Sequence, residues 1–238
     1  MVYFLCNCRS NTKGENVLEK YRHELKHSIS YGDFLMLTGK IGLIAKPDEN
    51  MRDGEYFIRS LYFDSYSDKV LREKLDGLGE REKFRIRFYN MDDSFVRLEK
   101  KSKKEGLCLK RSAVLTREQT EKIIADDVRF LENSEEPLLR ELYIKMLTEK
   151  LRPKIIVDYK RKAFVFPYGN VRVTFDYEIS SSYDLENFFG EASKIPVPNE
   201  IILEVKYDEF LPRIIADVTQ LGGRQGCSFS KYAAARYI

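Results

Sequence analysis

The chain has 238 residues with 43% hydrophobic content, and its 41 Lys and Arg residues are nearly balanced by 38 Asp and Glu residues. This length allows a substantial buried core, and a formal net charge of only +3 argues against a general nucleic-acid coat protein. Because no Pro-, Gly- or Ser-rich linker divides the chain, we predict one domain over residues 19–238, after a poorly determined N-terminal arm over residues 1–18.

The four cysteines form no Cys-x-x-Cys pair and show no metal-binding spacing, which is typical of a reduced, cytoplasmic protein. The apolar opening of the sequence lacks a basic leader and is too short for a signal-peptide core or a membrane span. We therefore expect a cytoplasmic protein with no membrane segment in this chain. A membrane-associated partner and the oligomeric state stay open.

Strand-like patterns dominate the sequence. Segments that alternate, or that are rich in β-branched and aromatic residues, predict eight strands. Three connections, at residues 90–93, 104–106 and 167–170, have the length and composition of hairpin turns. The predicted strands are residues 20–30, 55–64, 81–90, 94–103, 107–115, 154–166, 170–182 and 199–208.

Helical spacing fills the gaps between these strands. Thr116 and Gln119 have the form of a capping box, and Pro137 suits the first turn of a helix. Consecutive hairpins mixed with helices favour an antiparallel α+β fold over a doubly wound parallel sheet. The predicted helices are residues 33–44, 67–77, 116–126, 135–150, 210–221 and 229–237.

Charged residues occupy alternate positions in most of the predicted strands. Because residues i and i+2 share a face, each such strand carries a charged stripe, and the apolar residues between them face away. An eight-stranded closed barrel has an interior just wide enough for side chains or one slender ligand, so inward stripes would line a polar tunnel. Water or counter-ions must then offset the burial of charge. The stripes lie at residues 24–26, 85–87, 97–101, 159–161, 172–176 and 204–206.

The unit Glu-x-Lys recurs in three of these stripes, at Glu24–Lys26, Glu99–Lys101 and Glu204–Lys206. A carboxylate can hold a hard divalent cation while the ammonium on the same side of the strand meets a phosphate oxygen. Cross-strand ion pairing on a solvated face is the alternative interpretation.

Arg85 and Arg87, reinforced by Lys83 and Arg81, place four cations on one face of one strand. Packed this way in a plain sheet they would repel one another. A polyphosphate ligand would resolve that repulsion, because a guanidinium binds phosphate oxygens in a bidentate manner.

In this order, the charged strands resemble the VTC domain, the polyphosphate polymerase domain of the vacuolar transporter chaperone complex, in its bacterial stand-alone form. That domain belongs to the triphosphate tunnel metalloenzymes, which are related to the CYTH group. The resemblance extends from about Tyr21 to Tyr237. Its markers are Tyr21–Lys26, Leu61–Asp64, Phe84–Tyr89, Leu98–Lys101, Arg152–Pro153, Tyr159–Phe164, Arg172–Asp176, Glu204–Lys206 and Phe229–Tyr232.

The resemblance implies an eight-stranded antiparallel tunnel that binds a nucleoside triphosphate, ATP, and polyphosphate with Mn²⁺ or Mg²⁺. It implies that Glu204 holds the metal, with Glu24 and Glu99 as further candidates. The residues implied to carry catalysis are Lys26, Arg85, Arg87 and Arg161. The implied phosphate-binding set is Lys26, Arg85, Arg87, Lys101, Lys110, Tyr159, Arg161, Arg172, Lys206 and Lys231.

Two positions depart from the related sequences. The wider superfamily has a Glu-x-Glu-x-Lys signature, and Arg22 stands here at the first Glu. This departure disfavours a standard CYTH phosphatase and fits the VTC branch. The eukaryotic polymerases have a second basic residue three positions before the final lysine, where this chain has Ser228. That difference weakens the expectation of processive polymerisation.

The leading hypothesis is metal-dependent transfer of the terminal phosphoryl group of ATP onto a polyphosphate or phosphate chain inside a basic tunnel. Hydrolysis of triphosphate or tripolyphosphate in the same tunnel is the first alternative. The second is a non-catalytic module that binds polyphosphate or an inositol phosphate. No nucleic-acid partner is expected under any of the three.

Overall fold

The computed structural model describes residues 22–198, 201–220, 223 and 225–237. The predicted arm over residues 1–18 and the marker Tyr21 lie outside this part of the chain. The strands are β1 (His23–Ile29), β2 (Lys46–Pro47), β3 (Tyr56–Ser65), β4 (Arg81–Tyr89), β5 (Asp92–Lys104), β6 (Leu107–Leu115), β7 (Leu151–Phe166), β8 (Val171–Ser182), β9 (Ile195–Pro196) and β10 (Ile201–Tyr207). The α-helices are α1 (Tyr31–Gly42), α2 (Lys69–Leu75), α3 (Arg117–Ile124), α4 (Pro137–Thr148), α5 (Arg213–Thr219) and α6 (Lys231–Arg236).

These strands form one antiparallel sheet in the order β1-β10-β8-β7-β3-β4-β5-β6. The eight long strands are those that the sequence predicts, so the antiparallel α+β assignment is confirmed. The short β2 pairs with β7, and the short β9 pairs with β8. A strand of two residues is too short to show an alternating pattern, so β2 and β9 could not be predicted from the sequence.

The sheet is strongly curled, and one isolated backbone bridge connects the start of β1 to β6. Arg22, next to β1, donates its backbone N–H to the carbonyl of Cys108 on β6 at 3.2 Å, and Cys108 donates back at 3.4 Å. The Lys101 ammonium of β5 lies 2.7 Å from a carboxylate oxygen of Glu24 on β1. Because β1 and β6 are at opposite ends of the strand order, these contacts give the sheet a concave and a convex face.

The convex face is apolar and is covered by helices. Ile86 of β4 and Leu98 of β5 pack in one cluster with Leu142 of α4. Phe175 of β8 packs in a second cluster with Leu37 of α1. Alternate residues of the same strands are therefore free to place their charges on the concave face.

The helix starts follow the capping signals in the sequence. Thr116 and Gln119 form the predicted capping box at α3, and Pro137 occupies the first turn of α4. Ser30 and Asp33 form a further capping box at α1, which was not predicted. All six predicted helices are present. Helix α1 has the predicted length but begins and ends two residues earlier, and the other five are shorter than predicted.

Helix α6 packs on the concave side of the sheet. Its Tyr232 and Ala235 lie in an apolar cluster with Ile155 and Val157 of β7. The Tyr232 hydroxyl also donates a hydrogen bond to the fully buried carboxylate of Asp64, at the end of β3. The last helix is therefore anchored inside the curl of the sheet.

The Asp64 carboxylate also fixes the start of α2. It accepts the backbone N–H of Val70 at 2.8 Å and that of Leu71 at 3.1 Å. The Asp64 carboxylate thus anchors both α2 and α6. Lys74 of α2 lies on the concave side.

Gly169, in the turn between β7 and β8, is packed against the backbone of another segment. Gly169 has φ +72°, and an added Cβ would lie 2.5 Å from the carbonyl oxygen of Phe210. Gly54 has φ +79°, but no atom lies within 4 Å of its added Cβ. We expect Gly169→Ala to lower the free energy of unfolding by about 3 kcal/mol and Gly54→Ala by about 1 kcal/mol in urea denaturation. Equal losses would contradict this packing.

Candidate functional site

Two carboxylates lie between lysines where β1 pairs with β10. In the strand register Glu24 is opposite Lys206 and Lys26 is opposite Glu204, so charges of opposite sign alternate around a square. The Lys26 ammonium is 3.3 Å from Glu204 and 4.0 Å from Glu24. The Lys206 ammonium is 3.2 Å from Glu204 and 3.9 Å from Glu24. We call Glu24 and Glu204 the carboxylate pair.

The charge state of the carboxylate pair follows from these lysines. Burial would raise the pKa of Glu204, but Lys206 and Lys26 outweigh it and hold that pKa well below the usual value. The pKa of Glu24 is lowered against burial by the same two lysines and by Lys101. Both groups are therefore ionised at neutral pH and can serve as oxygen ligands.

Glu99 is the centre of a second cluster, on β4, β5 and β6. Its carboxylate is 3% exposed and lies 2.7 Å from the Arg85 guanidinium, 3.7 Å from Arg87 and 3.1 Å from the Lys110 ammonium. Burial opposes ionisation, but Arg85 and Arg87 hold the pKa of Glu99 well below its usual value. Glu99 thus forms ion pairs with basic side chains other than those around the carboxylate pair.

Asp176 on β8 is the centre of a third cluster, and it is not among the site residues predicted from the sequence. This fully buried carboxylate accepts a hydrogen bond from the Arg161 guanidinium at 2.8 Å and contacts the Lys231 ammonium of α6. Arg161 also lies 3.7 Å from Glu204. Asp176 therefore positions two predicted phosphate ligands beside the carboxylate pair.

Tyr159 lies between these clusters. Its hydroxyl accepts a hydrogen bond from Arg87 at 2.7 Å, and Arg87 also donates to the Ser60 hydroxyl at 2.9 Å. The Lys231 ammonium is 4.6 Å from the centroid of the Tyr159 ring, and the Arg161 guanidinium is 5.5 Å from it. The predicted residues on β4 and β7 therefore meet through one aromatic side chain.

Arg172 pairs with a carboxylate that lies outside the charged stripes. Its guanidinium lies 2.9 Å from the carboxylate of Asp48, which also accepts the Tyr56 hydroxyl. Asp48 follows β2, a strand that the sequence did not predict. Arg172 thus has a nearby carboxylate partner that sequence reasoning missed.

Lys83 on β4 and Tyr62 on β3 form a further pair on the concave side. The Lys83 ammonium is 5.6 Å from the centroid of the Tyr62 ring, and the Tyr62 hydroxyl accepts a hydrogen bond from Arg85 at 3.3 Å. Burial lowers the pKa of Lys83 to about 7, and Lys101 and Lys26 add to this effect while Tyr62 opposes it. Burial would raise the pKa of Tyr62, but Arg85 and Lys83 lower it to about 7.

The two departures noted in the sequence have structural partners. The Arg22 guanidinium lies 2.9 Å from the carboxylate of Asp208. The Ser228 hydroxyl accepts a hydrogen bond from the Lys74 ammonium of α2 at 2.9 Å. Helix α2 therefore brings a cation to the Ser228 position.

The donors present fit a hard divalent cation that completes its shell with other oxygens. In the part of the chain that the structure describes, no three His, Cys, Asp or Glu side chains group closely enough to hold a metal ion. The carboxylate pair supplies oxygen ligands from two residues. Mg²⁺ is commonly held by one or two carboxylates, with phosphate and water oxygens as its other ligands.

Comparison with family models gives one match over nearly the whole described chain. The model described as VTC domain matches residues 21–238. Comparison with curated proteins gives no match. Within the described ranges, the helices are all too short or too polar to cross a membrane.

Comparison with solved structures shows a shared fold. The chain is similar to a candidate adenylate cyclase from Bacillus halodurans, with a TM-score of 0.53 and 14% identity over 86% of this chain and 88% of that chain. It is also similar to a candidate adenylyl cyclase from Hippeastrum that is described as having a dominant triphosphatase activity. In that case the TM-score is 0.53 and the identity 14%, over 91% of this chain and 95% of that chain.

The lowered pKa values of the lysines predict a pH dependence of stability. Burial lowers the pKa of Lys206 to about 8, and that of Lys83 is about 7, against 10.5 for an ordinary lysine. Between pH 7 and pH 10 the unfolded chain therefore binds more protons than the folded one, and the free energy of unfolding rises with pH.

We expect Lys83→Met to reduce this rise by about 1 kcal/mol between pH 7 and pH 9, because the variant lacks one of the groups that lose a proton on folding. Urea denaturation at the two pH values measures it. The exposed Lys40→Met is the control and should leave the rise unchanged. An unchanged rise in Lys83→Met would contradict the assignment.

Proposed function

The chain belongs to the VTC domain family, and on that premise we propose that it transfers the terminal phosphoryl group of ATP onto a phosphate or polyphosphate chain. The observation that carries this proposal is the surplus of cations over carboxylates on the concave face. Glu99, Asp176 and the carboxylate pair each have two or more cationic neighbours. A bound polyanion would neutralise the surplus.

The proposed reaction chamber is a closed tunnel formed by the eight long strands. The backbone pair between Arg22 and Cys108 supports closure, because it joins the two ends of the sheet. The contact between Lys101 and Glu24 across the same seam supports it further. A closed barrel of this size has room for one slender ligand.

Phosphoryl transfer needs positioning and charge neutralisation more than covalent help from the protein. Arg87 is suited to this role because Ser60 and Tyr159 fix its guanidinium before any ligand arrives. Arg85 and Arg161 are fixed in the same way by carboxylates. Lys26, between the members of the carboxylate pair, would contact the same phosphates.

Glu204 and Glu24 would hold Mn²⁺ or Mg²⁺ together, and Glu99 of β5, which pairs with a different set of cations, is a further candidate. When bound, the cation would neutralise charge on phosphate oxygens as the β–γ bond breaks. The lysines of the square would then keep the acceptor and the γ-phosphoryl group in line.

Hydrolysis is the second candidate function, with water in place of the phosphate acceptor. The Hippeastrum neighbour, described as a triphosphatase, supports it because the two chains share a fold. Incubating the protein with ATP and Mn²⁺ and separating long polyphosphate from free phosphate distinguishes the two. Long chains with ADP support the polymerase, free phosphate alone supports the hydrolase, and tight binding without ADP leaves only a binding module.

Two variants test the site assignment. We expect Arg87→Ala and Glu204→Gln to lower turnover by about 10²-fold or more, because each removes a group that contacts the phosphates or their metal. Arg213→Ala, which removes an arginine that is 93% exposed on α5, is the matched control. Circular dichroism establishes that each variant is folded. Full activity in either folded site variant would refute the assignment.

A further inference from the structure

Four basic side chains outside the predicted phosphate-binding set line one cavity at the edge of the concave face. The cavity has a volume of about 180 Å³, and Lys26, Lys101 and Ser228 contribute to its wall as well. We call the four the outer cation group: Lys74 of α2, Arg81 and Lys83 of β4, and Lys103 of β5.

The outer cation group differs from the predicted phosphate ligands Lys26, Lys101 and Arg85 in its ion pairs with carboxylates. Lys26 and Lys101 each lie within 4 Å of Glu24 or Glu204, and Arg85 pairs with Glu99. Over residues 22–198, 201–220, 223 and 225–237, no member of the outer cation group forms such an ion pair with a carboxylate. Glu24 and Glu82 also line the cavity, but each of them pairs with lysines outside this group.

The pKa values of two lysines in this group are lowered by burial and by neighbouring cations. Burial and the neighbouring cations, Arg81 first among them, lower the pKa of Lys74. Lys83 is affected in the same direction by burial and by Lys101. An anion in the cavity would reverse both effects, because it would favour the charged ammonium.

The spacing along β4 sets the length of such an anion. Arg81, Lys83, Arg85 and Arg87 alternate on one face of the strand, and six residues at about 3.3 Å each span about 20 Å. A triphosphate group is too short to contact both ends of this row. Lys103 is opposite Arg81 in the strand register, so the cationic row widens toward the cavity.

We propose that the outer cation group is a second phosphate subsite, which binds the phosphates of an inorganic polyphosphate chain whose end lies at Arg85 and Arg87. This inference rests on the proposed function and deepens it. The central site then accepts the terminal phosphates of a nucleotide or of a chain, while the outer subsite engages only anions longer than a triphosphate. It makes Lys74 and Lys103 determinants of chain-length preference.

The test compares the binding of tripolyphosphate and of long-chain polyphosphate by isothermal titration calorimetry at one fixed ionic strength. The variant is Lys74→Gln with Lys103→Gln, two partly exposed side chains whose loss leaves the core intact. The control is Lys40→Gln with Lys150→Gln, which removes the same charge from two exposed positions, one on α1 and one between α4 and β7.

We expect the control to bind both ligands like the unaltered protein. The cavity variant should bind long polyphosphate about tenfold more weakly, because charge-assisted phosphate contacts are lost, and tripolyphosphate less than about threefold more weakly. Equal weakening for both ligands, or a result equal to the control, overturns the subsite. If the double variant melts early, Lys103→Gln alone is measured against Lys40→Gln alone under the same criteria.

The failure of this inference is distinguishable from the failure of the proposed function. If the unaltered protein binds neither phosphate ligand, the proposed function and the subsite both fail. If it binds long polyphosphate and releases ADP from ATP while the cavity variant behaves like the control, only the subsite fails.

Discussion

The confinement of like charges to one face of a single curled sheet is the constraint on which the rest of this structure depends. Curling brings the cations of β4 and β5 toward those of β1, β7 and β10, so their repulsion grows as the sheet closes. Glu99, Asp176 and Glu204 offset part of it from fully buried or nearly buried positions. The apolar convex face and its helices must supply the remaining stability until an anion is bound.

The ion pairs on the concave face also prepare the site. A long side chain loses conformational entropy when it is fixed, and here much of that loss occurs during folding. Arg85 is held by Glu99, Arg161 by Asp176, and Arg87 by Ser60 and Tyr159. A ligand that meets such fixed guanidinium groups loses less binding energy to ordering them.

Much of the fold and part of the site follow from the period of two in the strands. That period locates each long strand and also decides the face of each charge, which is how Arg85, Arg87 and Lys101 are found from the sequence. Asp176 shares its face with Arg172 in the same stripe, so it could have been predicted from the same alternation. The position of Lys74 could not be predicted, because it depends on Asp64 holding α2 against β3, a contact set by tertiary packing.

The pairing of β1 with β10 has a consequence for the order of folding. His23 on β1 is opposite Tyr207 on β10, so the partner of the first strand is synthesised long after it. Tyr232 likewise reaches Asp64 across a separation of 168 residues. Contacts so distant in sequence form slowly, because a long loop must close before they contribute stability. During synthesis the edge of β1 therefore stays unpaired until β10 is made. The charged side chains of β1 help to keep other strands from pairing with that edge.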